Sequence, residues 1–265
     1  MAATTEELAT KVALVTGASR GIGRAISIHL AQAGAQLVLA GRDQAGLAET
    51  ALFITTAGGF SPLICHLDLL DRSSINGTVA QTIEAFGHID VLVNNSGITG
   101  NAVPLSELSE RDWDETIDTN LKGPFLLTQA VLPEMLRQKR GSIIFIGSVT
   151  GKRPFKNRSA YAASKLGLVG LMRTLALEVA SQGIRVNLIS PGFVAGPRLE
   201  GVVDNVAEMD AISHDEARTK MIGMIPMEHF VSPENIAEGV LFFASDRSAG
   251  ITGDDLNISG GLVMY

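Results

Sequence analysis

Short apolar runs alternate along the chain with longer segments whose apolar positions recur at helical spacing. The runs at Lys11–Val15, Ala35–Ala40, Leu63–Leu67, Ile89–Val93, Ser142–Ile146 and Arg185–Ile189, and a last one at Asp255–Ile258, are short and mostly rich in Val, Ile and Leu, as expected of buried strands. The pattern after the first, Ala25, Ile26, Ile28, Leu30, is helical. A helix is expected from about Asp71 to Phe86, stopped by Gly87. Ser109 with Asp112 resembles a capping box and opens a long helix to about Gln138, with Pro124 and Pro133 expected to bend it. Another helix runs from Ser159, a candidate cap, to about Ser181 and stops at Gly183, and Ser232-Pro233-Glu234 starts one that ends at Ala244. Strands without polar alternation, separated by helices, predict an α/β fold with a parallel sheet covered on both faces.

No linker or repeat interrupts this alternation, so residues 11–265 read as a single domain behind a flexible N-terminus, residues 1–10. A chain of 265 residues buries roughly 70–75% of its unfolded surface. The content of 46% hydrophobic and 18% charged residues fits a compact protein. A net charge of −7 and the lack of Lys/Arg clusters beyond Lys152–Arg158 argue against nucleic-acid binding. The polar N-terminus is no secretory signal, and no apolar run reaches the ~18 residues of a membrane span. A soluble, cytoplasmic protein without a membrane partner is therefore expected. Cys65 is the one cysteine and reads as a buried strand residue, and the five histidines have no ligand spacing, so no metal is expected.

The first strand runs directly into T-G-A-S-R-G-I-G, Thr16 to Gly23, and then into a helix. Strand, glycine turn and helix form the context of a dinucleotide-binding loop, with Gly17, Gly21 and Gly23 allowing close approach to a pyrophosphate at the helix N-terminus. Ser19, Arg20 and Ile22 lie in the same loop. Where NAD-preferring units carry an acid at the end of the second strand, this chain has Gly41 followed by Arg42. Arg20 and Arg42 suit a ribose 2′-phosphate, which favours NADP(H), with NAD(H) as the alternative. Asp68 and Leu69 end the third strand, where an adenine would lie, and N-N-S-G at Asn94–Gly97 ends the fourth.

In S-A-Y-A-A-S-K, Tyr161 and Lys165 stand four positions apart and share one helical face. A nearby ammonium favours a phenolate, so the pair is equipped to exchange a proton with an alcohol or carbonyl. Ser148 ends the fifth strand, at the edge where open parallel sheets place their ligands. The methionine-rich stretch Val202–Met224 is either a substrate lid or ordinary helix packing, and the lid reading extends over 194–227.

Together T-G-A-S-R-G-I-G, N-N-S-G, Asn120, Ser148, Tyr161-x-x-x-Lys165 and Pro191-Gly192 resemble the short-chain dehydrogenase/reductase family, from Lys11 to about Gly261. The resemblance implies a single Rossmann-like, doubly wound sheet of about seven parallel strands, a nicotinamide cofactor and a homotetramer or homodimer. It implies Tyr161 as general acid/base, Ser148 as hydrogen-bond partner of the substrate oxygen, Lys165 as activator and ribose ligand, and Asn120 as anchor of a water relay. It also places Asn95, Gly97, Pro191, Gly192 and Val194 along the cofactor. Ser96 replaces the family's Ala, and Gly196 stands where a threonine often contacts the nicotinamide. The expected activity interconverts a secondary alcohol and a ketone with NADP(H); the same chemistry with NAD(H), or a noncatalytic NADP-binding regulator, are the alternatives.

Overall fold

The computed structural model describes residues 7–265. Seven parallel strands form one sheet in the order β3-β2-β1-β4-β5-β6-β7. They are β1 (Val12–Thr16), β2 (Gln36–Gly41), β3 (Leu63–His66), β4 (Val91–Asn94), β5 (Gly141–Ile146), β6 (Ile184–Pro191) and β7 (Asp255–Ile258). Successive strand residues point to opposite faces. Thus Ala13 and Val15 enter one core with Ile26, Leu30, Leu47, Val240 and Phe243, while Val12 and Leu14 enter another with Ile75, Leu127, Val131, Leu168 and Met172. Helices α1 (Gly21–Gln32), α2 (Gln44–Thr56) and α9 (Pro233–Ala244) cover the first face, and α3 (Arg72–Phe86), α5 (Gly123–Gln138) and α6 (Ser159–Val179) the second.

Gly87 and Gly183 close α3 and the end of α6 with φ of 79° and 75°, the left-handed geometry that favours glycine. Ser232 caps α9, as its sequence suggested, and does so in a reciprocal box with Asn235, which lies beyond the Ser232-Pro233-Glu234 start signal. Three expectations need correction. Of the N-terminal segment, residues 1–6 lie outside the described residues, but Leu8 is fully buried and its amide donates to the Ala33 carbonyl, so residues 7–10 are anchored. Ser159 is the first residue of α6 and not its cap; Arg158 holds the cap position without a side-chain bond.

The third concerns the long helix after Ser109. It divides into α4 (Glu110–Ile117) and α5, joined by one π turn at Asp118–Lys122. Pro124 has no amide to return to the Asn120 carbonyl, and its ring crowds that carbonyl, so the ladder widens there. Asn120 is fully buried inside this turn. Beyond β6, α7 (Pro197–Asp210) and α8 (His214–Ile222) form a helix pair with its own small core of Leu199, Val203, Ala217 and Met221, against which Phe193, Met224 and Phe230 pack. Among the described residues no helix is long and apolar enough to cross a membrane.

Candidate active site

The strand order reverses between β1 and β4, the place where doubly wound sheets open a crevice beyond the strand ends. On its β1 side lies the glycine turn. Gly17 has φ of 65°, and a Cβ there would lie 3.0 Å from Asn95 Nδ2 and from Ser96 Oγ. A Cβ on Gly23 would stand 2.1 Å from the Gly17 carbonyl oxygen, so only glycine permits this closure. Arg20 holds the cap position of α1 without a side-chain bond to the first helical amides. Ser19 and Ile22 flank it, half-buried. Gly41 is buried at the end of β2 and Arg42 beside it is exposed. These features fit a dinucleotide: a close backbone approach, a free helix N-terminus and a guanidinium at the ribose end.

On the β4 side, Asn95 Nδ2 donates to the carbonyls of Thr16 at 2.8 Å and Gly17 at 3.3 Å, pinning the two loops together. Thr16, which sequence reasoning missed, accepts from the amides of Asn95 and Ser96 through one hydroxyl, both at 3.0 Å. No periodic signal marks such a residue; it is found only through the pairing of β1 with β4. Asp68 accepts from the Leu70 amide at 2.9 Å, and Leu69 is buried where the absence of a side chain on Gly123 leaves it room.

Ser148, extended at φ −170°, follows β5 and accepts from the Thr150 amide at 3.1 Å. Its turn is pressed onto α6, since a Cβ on Gly151 would come within 2.9 Å of the Leu166 nitrogen. Lys165 then reaches back, donating from Nζ to the Ile146 carbonyl at 2.9 Å, two residues before Ser148. The same Nζ stands 5.8 Å from the centre of the Tyr161 ring. Burial lowers the Lys165 ammonium to about 7, with the Arg198 charge adding to the effect. Arg158, beside Tyr161, is likewise lowered by burial, with Tyr161 opposing the shift.

Asn120 stands next to this pair. Its Nδ2 donates to the Ile98 carbonyl at 2.9 Å and to Ser164 Oγ at 3.2 Å, while its Oδ1 accepts from the Ile98 amide at 2.8 Å. Gly97 fits between, for a Cβ there would lie 3.0 Å from Asn120 Oδ1 and 3.5 Å from Lys165 Nζ. On the far side, Pro191 pairs with Ile258, Gly192 lies against Ser259, and Val194 bridges to Val231. The fold thus brings the predicted residues of β4, α6 and the β5 and β6 ends to one groove, while Arg42, Asp68 and Leu69 lie along its β2–β3 continuation.

Residues 11–206 match the family described as short chain dehydrogenase. The chain belongs to that family. It is an NAD(P)-dependent oxidoreductase of the short-chain dehydrogenase/reductase type. Among curated relatives, the 3-oxoacyl-acyl-carrier-protein reductase FabG of Staphylococcus aureus is 38% identical, covering 96% of this chain and 99% of the relative. FabG of Escherichia coli is 37% identical over 96% and 98%. Among solved structures, levodione reductase superposes with a TM-score of 0.92 at 33% identity, over 97% of this chain and 100% of the other. An actinorhodin polyketide ketoreductase with NADPH reaches 0.92 at 35% identity, over 96% and 98%. NAD+-bound xylitol dehydrogenase reaches 0.91 at 30%, over 96% and 99%.

Proposed function

We propose that the protein is an NADPH-dependent ketoreductase that interconverts a ketone and a secondary alcohol, with Tyr161 as the general acid/base. The observation that carries this reading is that the buried Lys165 Nζ donates to the carbonyl of Ile146, two residues before Ser148, at 2.9 Å and stands 5.8 Å from the centre of the Tyr161 ring. The 3-oxoacyl thioester named in the FabG relatives is the first substrate to test. The apolar wall of Phe155, Phe193, Val149 and Leu262 beside the groove suits an acyl chain or another hydrophobic carbonyl compound.

The nicotinamide supplies the hydride when bound. Charge then builds on the carbonyl oxygen, where the Ser148 and Tyr161 hydroxyls donate hydrogen bonds and stabilise it. Tyr161 passes its proton to that oxygen, and the Lys165 ammonium stabilises the phenolate left behind. Lys165 is the ribose ligand as well, and Asn120 fixes the strand β4 loop against α6, anchoring the relay that reprotonates the pair. In the oxidative direction Tyr161, as phenolate, takes the alcohol proton. Gly17, Ser19, Arg20, Gly21, Ile22 and Gly23 receive the diphosphate, Arg42 the 2′-phosphate, Asp68 and Leu69 the adenine, and Asn95, Gly97, Pro191, Gly192 and Val194 the nicotinamide half.

NADH as cofactor is the second reading, favoured by the NAD+-bound xylitol dehydrogenase likeness and opposed by Arg42. A panel of 3-oxoacyl thioesters and other ketones, assayed with NADPH and NADH in parallel, decides between them. Reduction with NADPH and its loss by about 10²–10⁴-fold in Tyr161→Phe are expected. No reduction across the panel, or full activity in the variant, refutes the reading.

A further inference from the structure

The loops that follow β4 and β6 face each other across the Ser148 end of β5, and one side chain joins them. Arg198, in the first turn of α7, donates from Nη2 to the Gly97 carbonyl at 2.9 Å. Gly97 is the corner packed against Asn120 and Lys165, and the two residues before it, Asn95 and Ser96, line the glycine turn at Gly17. The Arg198 guanidinium and the Lys165 ammonium therefore share a groove that continues to the diphosphate cradle.

Their like charges oppose one another, as the downward pull of Arg198 on Lys165 records. Among the described residues neither forms an ion pair with a carboxylate, and each donates to a backbone carbonyl. The Arg198 guanidinium and the Lys165 amine, which gains its proton when negative charge stands beside it, face one groove without a carboxylate between them and so suit an anion. Two residues earlier, Gly196 offers no side chain, holds φ of +136° and faces open space. The place where family members carry a threonine thus has no side chain, and a Cβ there would meet no heavy atom within 4 Å, while the Arg198 guanidinium, two residues on, is held at the Gly97 carbonyl on the facing loop.

Resting on the cofactor reading above, we propose that Arg198 is a cofactor-binding residue, which grips the diphosphate and nicotinamide half of the dinucleotide in place of the absent threonine at position 196. The neutral Gly97 carbonyl is the weaker partner, because a phosphate oxygen forms a charge-assisted and often bidentate bond with arginine. Exchange of one acceptor for the other draws the start of α7 onto the cofactor and places negative charge beside Lys165.

The test is a fluorescence titration of the full chain with NADPH, and a competing titration with adenosine 2′,5′-bisphosphate, which lacks the diphosphate and the nicotinamide. Arg198→Gln is expected to weaken NADPH about tenfold or more, to flatten the salt dependence of binding, and to leave the bisphosphate unaffected; Arg198→Lys recovers part of the affinity. Unchanged NADPH affinity in Arg198→Gln, or an equal loss for both ligands, overturns the assignment. A wild-type protein that binds neither NADPH nor NADH overturns the cofactor reading itself. If NADH alone binds, NADH and AMP take the places of the two ligands.

Discussion

Asn120 grips the backbone of Ile98 from both sides, accepting from its amide at 2.8 Å and donating to its carbonyl at 2.9 Å. The amide side chain acts like a short strand partner for the loop after β4 and links it to α6 through Ser164. Alanine at 120 would leave a backbone amide and a carbonyl unpaired beside a buried cavity. Asn120→Ala is expected to lower stability by roughly 1–3 kcal/mol, read as a shift in urea midpoint, and to slow turnover beyond what that loss explains, because Gly97 and Lys165 share the corner.

Lys165 makes the cofactor-free protein sensitive to pH. Its ammonium has a folded value of about 7 against an ordinary value of 10.5. Between those values the unfolded chain binds the additional proton, so raising the pH through this window favours the folded state, and lowering it brings back the buried charge. Lys165→Met is therefore expected to be more resistant to urea than the wild type near pH ~6.5 and to lose that advantage by about pH 10.

Binding of an anionic cofactor beside Lys165 favours its charged form. Near pH ~7.5, where much of Lys165 is neutral, association is expected to take up protons. Calorimetric titrations with NADPH in buffers of different ionisation enthalpy measure that uptake, and Lys165→Met should abolish most of it.

Gly23→Ala places a methyl group where the Gly17 carbonyl oxygen would be 2.1 Å away. The turn must open, moving the helix N-terminus off the diphosphate. NADPH affinity is expected to fall about a hundredfold, ~2.7 kcal/mol, by fluorescence titration.

Arg42 stands exposed where β2 ends, without a carboxylate at Gly41. Arg42→Asp replaces a phosphate partner by an acid that suits a free ribose hydroxyl. The ratio of kcat/KM for NADPH over NADH is expected to fall at least about tenfold; an unchanged ratio removes Arg42 from cofactor choice.

The strand runs, the glycine turn and the Tyr161–Lys165 spacing are local patterns, and they determined the α/β class, the order of the elements and the cofactor loop, while the roles of Asn120, Ser148 and the residues along the nicotinamide half followed from the family resemblance those patterns carry. Apolar runs must be buried and glycine must stand where a Cβ cannot, so such features are written in the chain itself. Where Ser109 to Gln138 breaks was not evident from helical spacing, because the π turn depends on the missing amide of Pro124 together with the burial of Asn120 against Ile98. Thr16 and Arg198 acquire their partners, 77 to 101 residues away, only when β1 meets β4 and the loop after β6 crosses β5. The charge of Lys165 was likewise decided by tertiary structure: spacing placed it one turn from Tyr161, but burial and the approach of Arg198 brought its ammonium to about 7.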